Sequence, residues 1–595
     1  MQKQVLSGNE AIARGVYEAA CRVATAYPGT PSTEILENIA KQYSDSIYAQ
    51  WACNEKVAFE IAYGASIGGV RAFCAFKHVG MNVAADPIFT AGYAGVNGGL
   101  VFVTADDPGC HSSQNEQDNR HYAPHTKICM MEPSDSQECL DYVKAAFEIS
   151  EKFDTPVMIR MTTRICHSKS LVRIGNRKEI SPVPYQRKAE KYAMLPGVAR
   201  ARHQIREDIL LELESYANNC PYNFVESYPG NTVGVISSGI SYQHSREVFG
   251  EGADYLKLGL SYPLPKELIS EFAKKYKTLY VIEENDPYLE NAVKSLGFNH
   301  VIGKSDIPIC GELNATIIRN SLFKEGKNTS VNASVEVPPR APTLCSGCPH
   351  RGFFYALSLK LNKVVPVGDI GCYSLGINPP FNGFDFSICT GAGFSALIGL
   401  SQALAMQGDS RKPLGMLGDS TFFHSGITGL IDIVASEANV IACILDNSIT
   451  AMTGHQENPG TTKNLMGEPS PAISIEDLVM ATGLDEKQVR IVDPGDLKAM
   501  GEALDDAISF KGPFIIITKS PCVLIKDVAK EKANVYCEID HDKCIGCKMC
   551  MKIACPAISF SSKKATIVDP ASCTACGLCM QMCKFDAIKR KDIRR

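Results

Sequence analysis

Short apolar, often β-branched runs recur along most of the chain, and between many of them lie longer stretches with apolar positions at helical spacing. The runs 47–51 (IYAQW), 100–104 (LVFVT), 157–161 (VMIRM), 233–237 (VGVIS), 279–283 (LYVIE), 414–417 (LGML) and 440–445 (VIACIL) predict strands. Strand and helix in alternation predict an α/β fold of parallel, doubly wound sheets. Two long uncharged stretches, 87–105 and 386–408, are crowded with Gly, Ser, Thr or Asn. A membrane-spanning helix uses such residues sparingly, so both read as parts of a layered core and no membrane is expected.

The pattern breaks in three places. Residues 180–230 are charged and proline-bearing, with a helical patch at REDILLELESYA; residues 326–342 (GKNTSVNASVEVPPRAP) read as a linker, and a further linker is expected near 525–536. Four units result, at about 1–180, 231–325, 343–525 and 536–595. A length of 595 residues suits that number, since domains run to roughly 100–200 residues each.

Charge and cysteine content narrow the class. A net charge of −5 gives no sign of a nucleic-acid partner, and KRKDIRR at 589–595 reads as a solvated tail. The first residues carry charges where an export signal needs an apolar run. Twenty-four cysteines in a long chain of this kind therefore point to a reducing cytoplasm, and not to disulfides.

Eight of those cysteines form two tandem runs: Cys544, Cys547, Cys550 and Cys555, then Cys573, Cys576, Cys579 and Cys583. Three thiolates two residues apart wrap one face of a [4Fe–4S] cube, and the fourth of each run ligates the other cluster. The expected sets are Cys544, Cys547, Cys550 and Cys583 for one cluster, and Cys555, Cys573, Cys576 and Cys579 for the other. Zinc also takes Cys-x2-Cys pairs. Two tandem runs, followed by apolar Ile558 and Ile588, favour iron–sulfur. Cys550 and Cys555 are separated by one residue more than usual, and Cys583 is followed by Lys584 where proline is common.

Residues 414–454 read as strand, tight turn, helix, strand, loop. Gly418-Asp419-Ser420 closes the first strand and Asp446-Asn447 the second. Strand ends of this kind face the crevice where α/β sheets bind ligands. An Asp, an Asn and a loop carbonyl offer hard oxygens to Mg²⁺, whose other positions suit diphosphate and water. The plain alternative is an ordinary strand-end Asp and Asn. The stretch resembles the thiamine diphosphate motif, which implies that Gly418, Asp419, Ser420 and Asn447 hold the cofactor. It also implies that Mg²⁺ is bound by Asp419, Asn447 and the Ile449 carbonyl. Ser420 stands where the motif has its second Gly.

Thiamine enzymes also need a carboxylate against the pyrimidine ring, and NEKVAFEIAYGASIGG (54–69) resembles the segment that supplies it. Asn54 suits an N-cap, and Ala58, Ala62, Gly64 and Ala65 keep one helix face thin. Glu55 is then the catalytic acid that shares a proton with the ring. The competing reading is an acid placed for the helix dipole.

With these three features in one chain, the sequence resembles the large (alpha) subunits of indolepyruvate:ferredoxin oxidoreductases, in the 2-oxoacid:ferredoxin oxidoreductase superfamily, over essentially its full length. AYPGTPSTEI (26–35) is similar to the family's substrate loop, and SSQNEQDNRHYA (112–123) to its acidic-Arg loop. CSGCPHRGFFYAL (345–357) is similar to the opening of the diphosphate domain. The resemblance implies that Thr30 touches the keto acid and Arg120 its carboxylate, and that 231–325 is a transketolase C-terminal-like domain. It implies oxidative decarboxylation of aryl 2-oxoacids to acyl-CoA and CO₂, with thiamine diphosphate, Mg²⁺, two [4Fe–4S] clusters and coenzyme A as cosubstrate. Ferredoxin is the implied electron acceptor. A smaller beta subunit of the gamma-domain type is the implied partner, in a heterodimer or a dimer of heterodimers. Pyruvate or 2-oxoglutarate as substrate, or a non-oxidative decarboxylase with structural clusters, are the alternatives. Cys345, Cys348 and His350 suggest zinc in isolation, but without an evident fourth ligand they read as a structural or cofactor-lining turn.

Overall fold

Each apolar run named above becomes a strand in a parallel sheet. The computed structural model describes residues 2–323, 342–532, 534–561, 563–567 and 570–592, in two units, Met1–Ala333 and Ser334–Arg595.

The first unit is built on a seven-stranded sheet in the order Leu260–Tyr262, Cys129–Met131, Val157–Thr162, Leu100–Asp106, Ala72–Lys77, Val23–Ala26, Tyr48–Trp51. Only the edge strand Leu260–Tyr262 runs antiparallel to its neighbour. Leu100–Asp106 and Val157–Thr162 are buried at every position, as central parallel strands covered by helices on both faces must be. Because the main strands share a direction, the loops after Ala26, Trp51, Lys77 and Asp106 leave at one edge of the sheet. Those loops carry Thr30, Glu55, His78 and Arg120.

A second, four-stranded sheet runs Thr278–Ile282, Val233–Ser238, Asp254–Leu258, Asn223–Glu226. It starts before the expected boundary at 231, and Leu260–Tyr262 leaves that segment to edge the first sheet. The helical patch expected within 180–230 extends to a 24-residue helix, Pro196–Asn219, with proline in its first turn, where a missing N–H costs nothing.

The second unit carries a five-stranded parallel sheet, Val364–Val367, Lys412–Gly418, Ile441–Asp446, Phe514–Lys519, Val489–Val492. Uncharged residues 386–408 supply the helix Ala392–Gln407, which lies so close to the sheet that a Cβ on Gly415 would meet the Gly393 carbonyl at 1.9 Å. The tail is two antiparallel strand pairs, Val535–Ile539 with Ile588–Asp592 and Ile558–Ser561 with Lys564–Ile567. The linker expected near 525–536 holds a short helix, Lys526–Lys532. The expected linker at 326–342 lies, except for residue 342, outside the described residues, as do the last three residues of the basic tail. Among the described residues no helix is long and apolar enough to cross a membrane.

Candidate functional site

Gly418 pairs with Leu445 on adjacent parallel strands, so Asp419 and Asn447 emerge side by side at the same sheet edge. Both are buried. The Asn447 side-chain amide lies 2.7 Å from the Ile449 carbonyl oxygen and 3.3 Å from Asp419 Oδ1, and with its nitrogen inward it donates to both. Turned over, the same amide offers a third oxygen beside theirs to a cation. These are the three donors expected for Mg²⁺, and the set suits a hard divalent ion. Asn458 Nδ2 donates to Asp419 Oδ2 at 3.0 Å, which fixes the carboxylate with Oδ1 toward Asn447. Burial, and then the nearby Asp446 charge, push the Asp419 carboxyl up to about 7; a divalent ion would take the proton's place.

Asp419 also starts a helix that runs on through a π-helical turn, Phe422–Gly426, to Ala435. Its first amides form the kind of terminus that receives phosphate oxygens. Ser420 sits in the first helical turn, a backbone that makes no demand for glycine. At Gly418 the demand is real: a Cβ would stand 2.9 Å from the Tyr373 ring. Sequence reasoning missed Asp369, buried at the end of the neighbouring strand. It accepts from Gly391 N at 2.8 Å and Gly393 N at 2.9 Å, where the helix Ala392–Gln407 begins, and burial pushes it up to about 7. A second strand-end Gly-Asp pair, Gly368-Asp369, was the available signal.

In the first unit, Asn54 caps the helix Glu55–Ile67, its side chain accepting from Val57 N at 2.9 Å. Glu55 is the first helical residue and only 6% exposed. The facing position must be glycine, because a Cβ on Gly80 would come within 2.6 Å of Glu55 Oε1. Thr30 is half-buried in a loop tied down by Gly29 N donating to Thr33 Oγ1 (3.0 Å) and Asn9 Nδ2 donating to the Pro31 carbonyl (2.7 Å). Thr30 and Glu55 thus leave from the same sheet edge.

Arg120 does not suit a substrate clamp. It is 1% exposed, and each of its nitrogens is engaged. Nε donates to Asp118 Oδ1 (2.9 Å), Nη1 to Glu283 Oε2 (2.6 Å), and Nη2 to Asp118 Oδ2 and the carbonyls of Glu284 and Asp286. The guanidinium holds Asp118 well below the usual carboxylate range despite burial. Glu283 ends the strand Thr278–Ile282, a neighbour that the local sequence around Arg120 does not reveal. The residue pins two sheets together.

The tail brings its cysteines together in two places. Cys544, Cys547, Cys550 and Cys583 line one cavity, with Ile539 and Phe560. Cys555 and Cys573 are both close enough to Cys576 to raise its thiol pKa beyond the effect of burial. The additional residue before Cys555 is absorbed at Ala554, which adopts a left-handed φ of 49°. Its carbonyl accepts from Arg351 Nη1 at 2.5 Å, as does that of Ile553 at 3.0 Å, and the same guanidinium binds the carbonyls of Leu344 and Cys345. A ninth tail cysteine, Cys537, is buried beside the second group and donates its N–H to Cys573 Sγ at 3.3 Å. Strand alternation in VYCEI, with Cys537 and Ile539 facing inward, was the sequence signal for it.

The turn at Cys345 and Cys348 does have further thiols beside it. Cys348 feels Cys372 and Cys345, while Cys372 feels Cys522 and Cys345; burial and these neighbours push Cys348 up to about 12 and Cys372 to about 11. His350 is a core residue instead, edge-on to Tyr373 and pushed down to about 4 by burial. Four thiols at a wider spacing than one bound ion needs are a donor set for an iron–sulfur cube. Cys522 N donates to the Asn447 carbonyl at 2.9 Å, so the set adjoins the oxygen site. At its other end, a Cβ on Gly347 would meet Thr574 Oγ1 at 1.8 Å, between two tail cysteines.

Three family models match the chain. Residues 14–219 match the thiamine-diphosphate-binding domain of pyruvate flavodoxin/ferredoxin oxidoreductases, residues 369–518 the C-terminal TPP-binding domain of thiamine pyrophosphate enzymes, and residues 566–589 a 4Fe–4S binding domain. The indolepyruvate oxidoreductase subunit IorA of Archaeoglobus fulgidus is 39% identical over 99% of this chain and 97% of that protein. The subunit of the same name from Methanothermobacter thermautotrophicus is 37% identical over the same shares. The 2-oxoglutarate synthase subunit KorA of Methanothermobacter marburgensis is 25% identical over 48% of this chain and 88% of its own length.

Proposed function

The chain belongs to the family of indolepyruvate oxidoreductase subunit IorA, an α/β oxidoreductase carrying thiamine diphosphate and 4Fe–4S clusters, and we propose that it oxidatively decarboxylates aryl 2-oxoacids such as indolepyruvate. The products are CO₂ and, with coenzyme A as acyl acceptor, an acyl-CoA; two electrons pass singly through the clusters to ferredoxin. The observation that carries this reading is the meeting of the Asp419 carboxylate, the Asn447 amide and the Ile449 carbonyl at the start of a helix. Asp419, Asn447 and Ile449 would hold Mg²⁺, and the amides after Gly418 would receive the diphosphate. Thiamine diphosphate, when bound, supplies a carbanion able to add to a keto carbon.

This chain's residues do the rest. Glu55, buried at the start of its helix, would face the pyrimidine ring and share a proton with it, and Thr30 would line the approach of the keto acid. The thiols of Cys345, Cys348, Cys372 and Cys522 would hold a cluster that serves as a stepping stone between the oxygen site and the tail. A third cluster there would raise the iron content of the holoenzyme by half over the two tail clusters. A smaller partner subunit completes the enzyme in the cytoplasm.

Anaerobic addition of indolepyruvate to the holoenzyme with coenzyme A tests the reading. Cluster absorbance should bleach, and Glu55→Gln should slow bleaching by roughly 10²–10⁴-fold while thiamine diphosphate stays bound. Intact clusters and bound cofactor with no bleaching by indolepyruvate, pyruvate or 2-oxoglutarate would sink it.

A further inference from the structure

The two tail sites differ in what surrounds them. The group with Cys573 and Cys576 abuts the diphosphate domain through Thr574 and Gly347, and through Gln581, which bonds Leu497 N and the Gly495 carbonyl. The cavity of Cys544, Cys547, Cys550 and Cys583 instead reaches the surface. Cys547 is exposed, and two large apolar side chains lining the cavity stand in solvent, Ile545 at 63% and Phe585 at 46% exposure.

Charge around that opening departs from the chain as a whole. Against a net charge of −5, the two segments that form the rim, 541–549 and 584–589, hold Lys543, Lys548, Lys584 and Lys589 against only Asp542 and Asp586. Lys543 and Lys589 share one carboxylate, Asp586, at 3.9 and 3.5 Å, so their charges are far from neutralised. Lys548 lies over the Phe560 ring at 4.7 Å, on the cavity wall.

We propose that this rim, Ile545 and Phe585 ringed by Lys543, Lys548, Lys584 and Lys589, is the docking surface for a small acidic electron-carrying protein. The inference rests on the electron-relay function above. A small apolar centre with a ring of like charge suits a brief encounter: the lysines speed and orient approach, and the apolar pair excludes water at the point of transfer. Weak electron-transfer complexes use interfaces of this modest kind. The exposed Cys547 sulfur places a ligand of the outer cluster at the contact, so the cluster facing solvent hands electrons out while the one against the diphosphate domain receives them.

The test uses the holoenzyme, a small acidic two-[4Fe–4S] ferredoxin and a viologen dye. Lys584→Glu combined with Lys589→Glu should lower kcat/KM for ferredoxin by about tenfold or more at low salt, while the dye-linked rate stays within about twofold of wild type. In the unaltered enzyme, ferredoxin reduction should slow as ionic strength rises. A ferredoxin rate that survives charge reversal, or that ignores salt in the unaltered enzyme, overturns the proposal. Should the variant also lose dye activity, the salt series on the unaltered enzyme decides. Failure of the 2-oxoacid reading is distinguished by reducing the clusters with dithionite and mixing with oxidised ferredoxin, which tests the surface without any substrate.

Discussion

At the strand ends of the first unit, Arg120 and Arg160 are buried among Asp106, Asp118, Glu132 and Glu283, with Arg160 donating to Asp106 at 2.8 Å and Glu132 at 3.1 Å. At the strand ends of the second unit, the Asp419 carboxylate, the Asn447 amide and the Ile449 carbonyl meet, and the charge that Asp419 feels most is another carboxylate, Asp446. Both clusters of polar groups lie where α/β sheets bind ligands. In the first, opposite charges answer one another from within the chain. In the second, two carboxylates lie near one another, an arrangement that becomes favourable once a cation arrives. The balance of donors and acceptors, more than position in the fold, separates a structural network from a binding site.

The largest effect should come from opening the second cluster. Asp419→Ala should abolish retention of Mg²⁺ and thiamine diphosphate through gel filtration and cut turnover by at least about a hundredfold, since even partners behind a metal ligand are worth 10–100-fold. Retained cofactor at wild-type occupancy would erase the contrast. Next, Arg120→Met should destabilise the first unit by about 3–5 kcal/mol in thermal or denaturant unfolding, because it strands buried carboxylates. A raised KM for the 2-oxoacid with unchanged unfolding would instead restore Arg120 as a clamp.

The smallest effect concerns Glu284, buried beside the same network and pushed up to about 7 by desolvation. An unfolded glutamate titrates near about 4.3. Between those values the folded chain keeps a proton that the unfolded chain releases, so this group's contribution is full below the lower value and is lost as pH rises toward 7. Glu284→Gln should remove that slope, a difference of about 3 kcal/mol between pH 4.5 and 7.5 in unfolding measurements. An unchanged slope would mean that the carboxyl ionises inside the fold at no such penalty.

Strands, and the places of Asp419 and Asn447 at strand ends, were legible because their signals are local. An apolar run between helical stretches, or Gly-Asp at a strand end, needs no knowledge of what packs against it. Arg120 failed for the opposite reason: its local sequence fits a clamp, but its partner Glu283 is 163 residues away. Cys372 and Cys522 went unread for the same cause, since each is a lone cysteine until the sheet brings both to the Cys345 turn. The serine at 420 looked like a departure, yet helical geometry there removes the need for glycine. The domain boundary expected near 231 fell late because the strand Asn223–Glu226, within a charged and proline-bearing stretch, already belongs to the second sheet.

Arg351 has a bearing on how the enzyme can be taken apart. One buried guanidinium holds the carbonyls of Leu344 and Cys345 on the diphosphate domain together with those of Ile553 and Ala554 in the tail. A tail excised near residue 536 would leave a left-handed alanine and two bare carbonyls just ahead of Cys555. The iron-binding segment is therefore no interchangeable cartridge. Grafted elsewhere, or expressed by itself, it would lack the brace that shapes one of its own ligand turns.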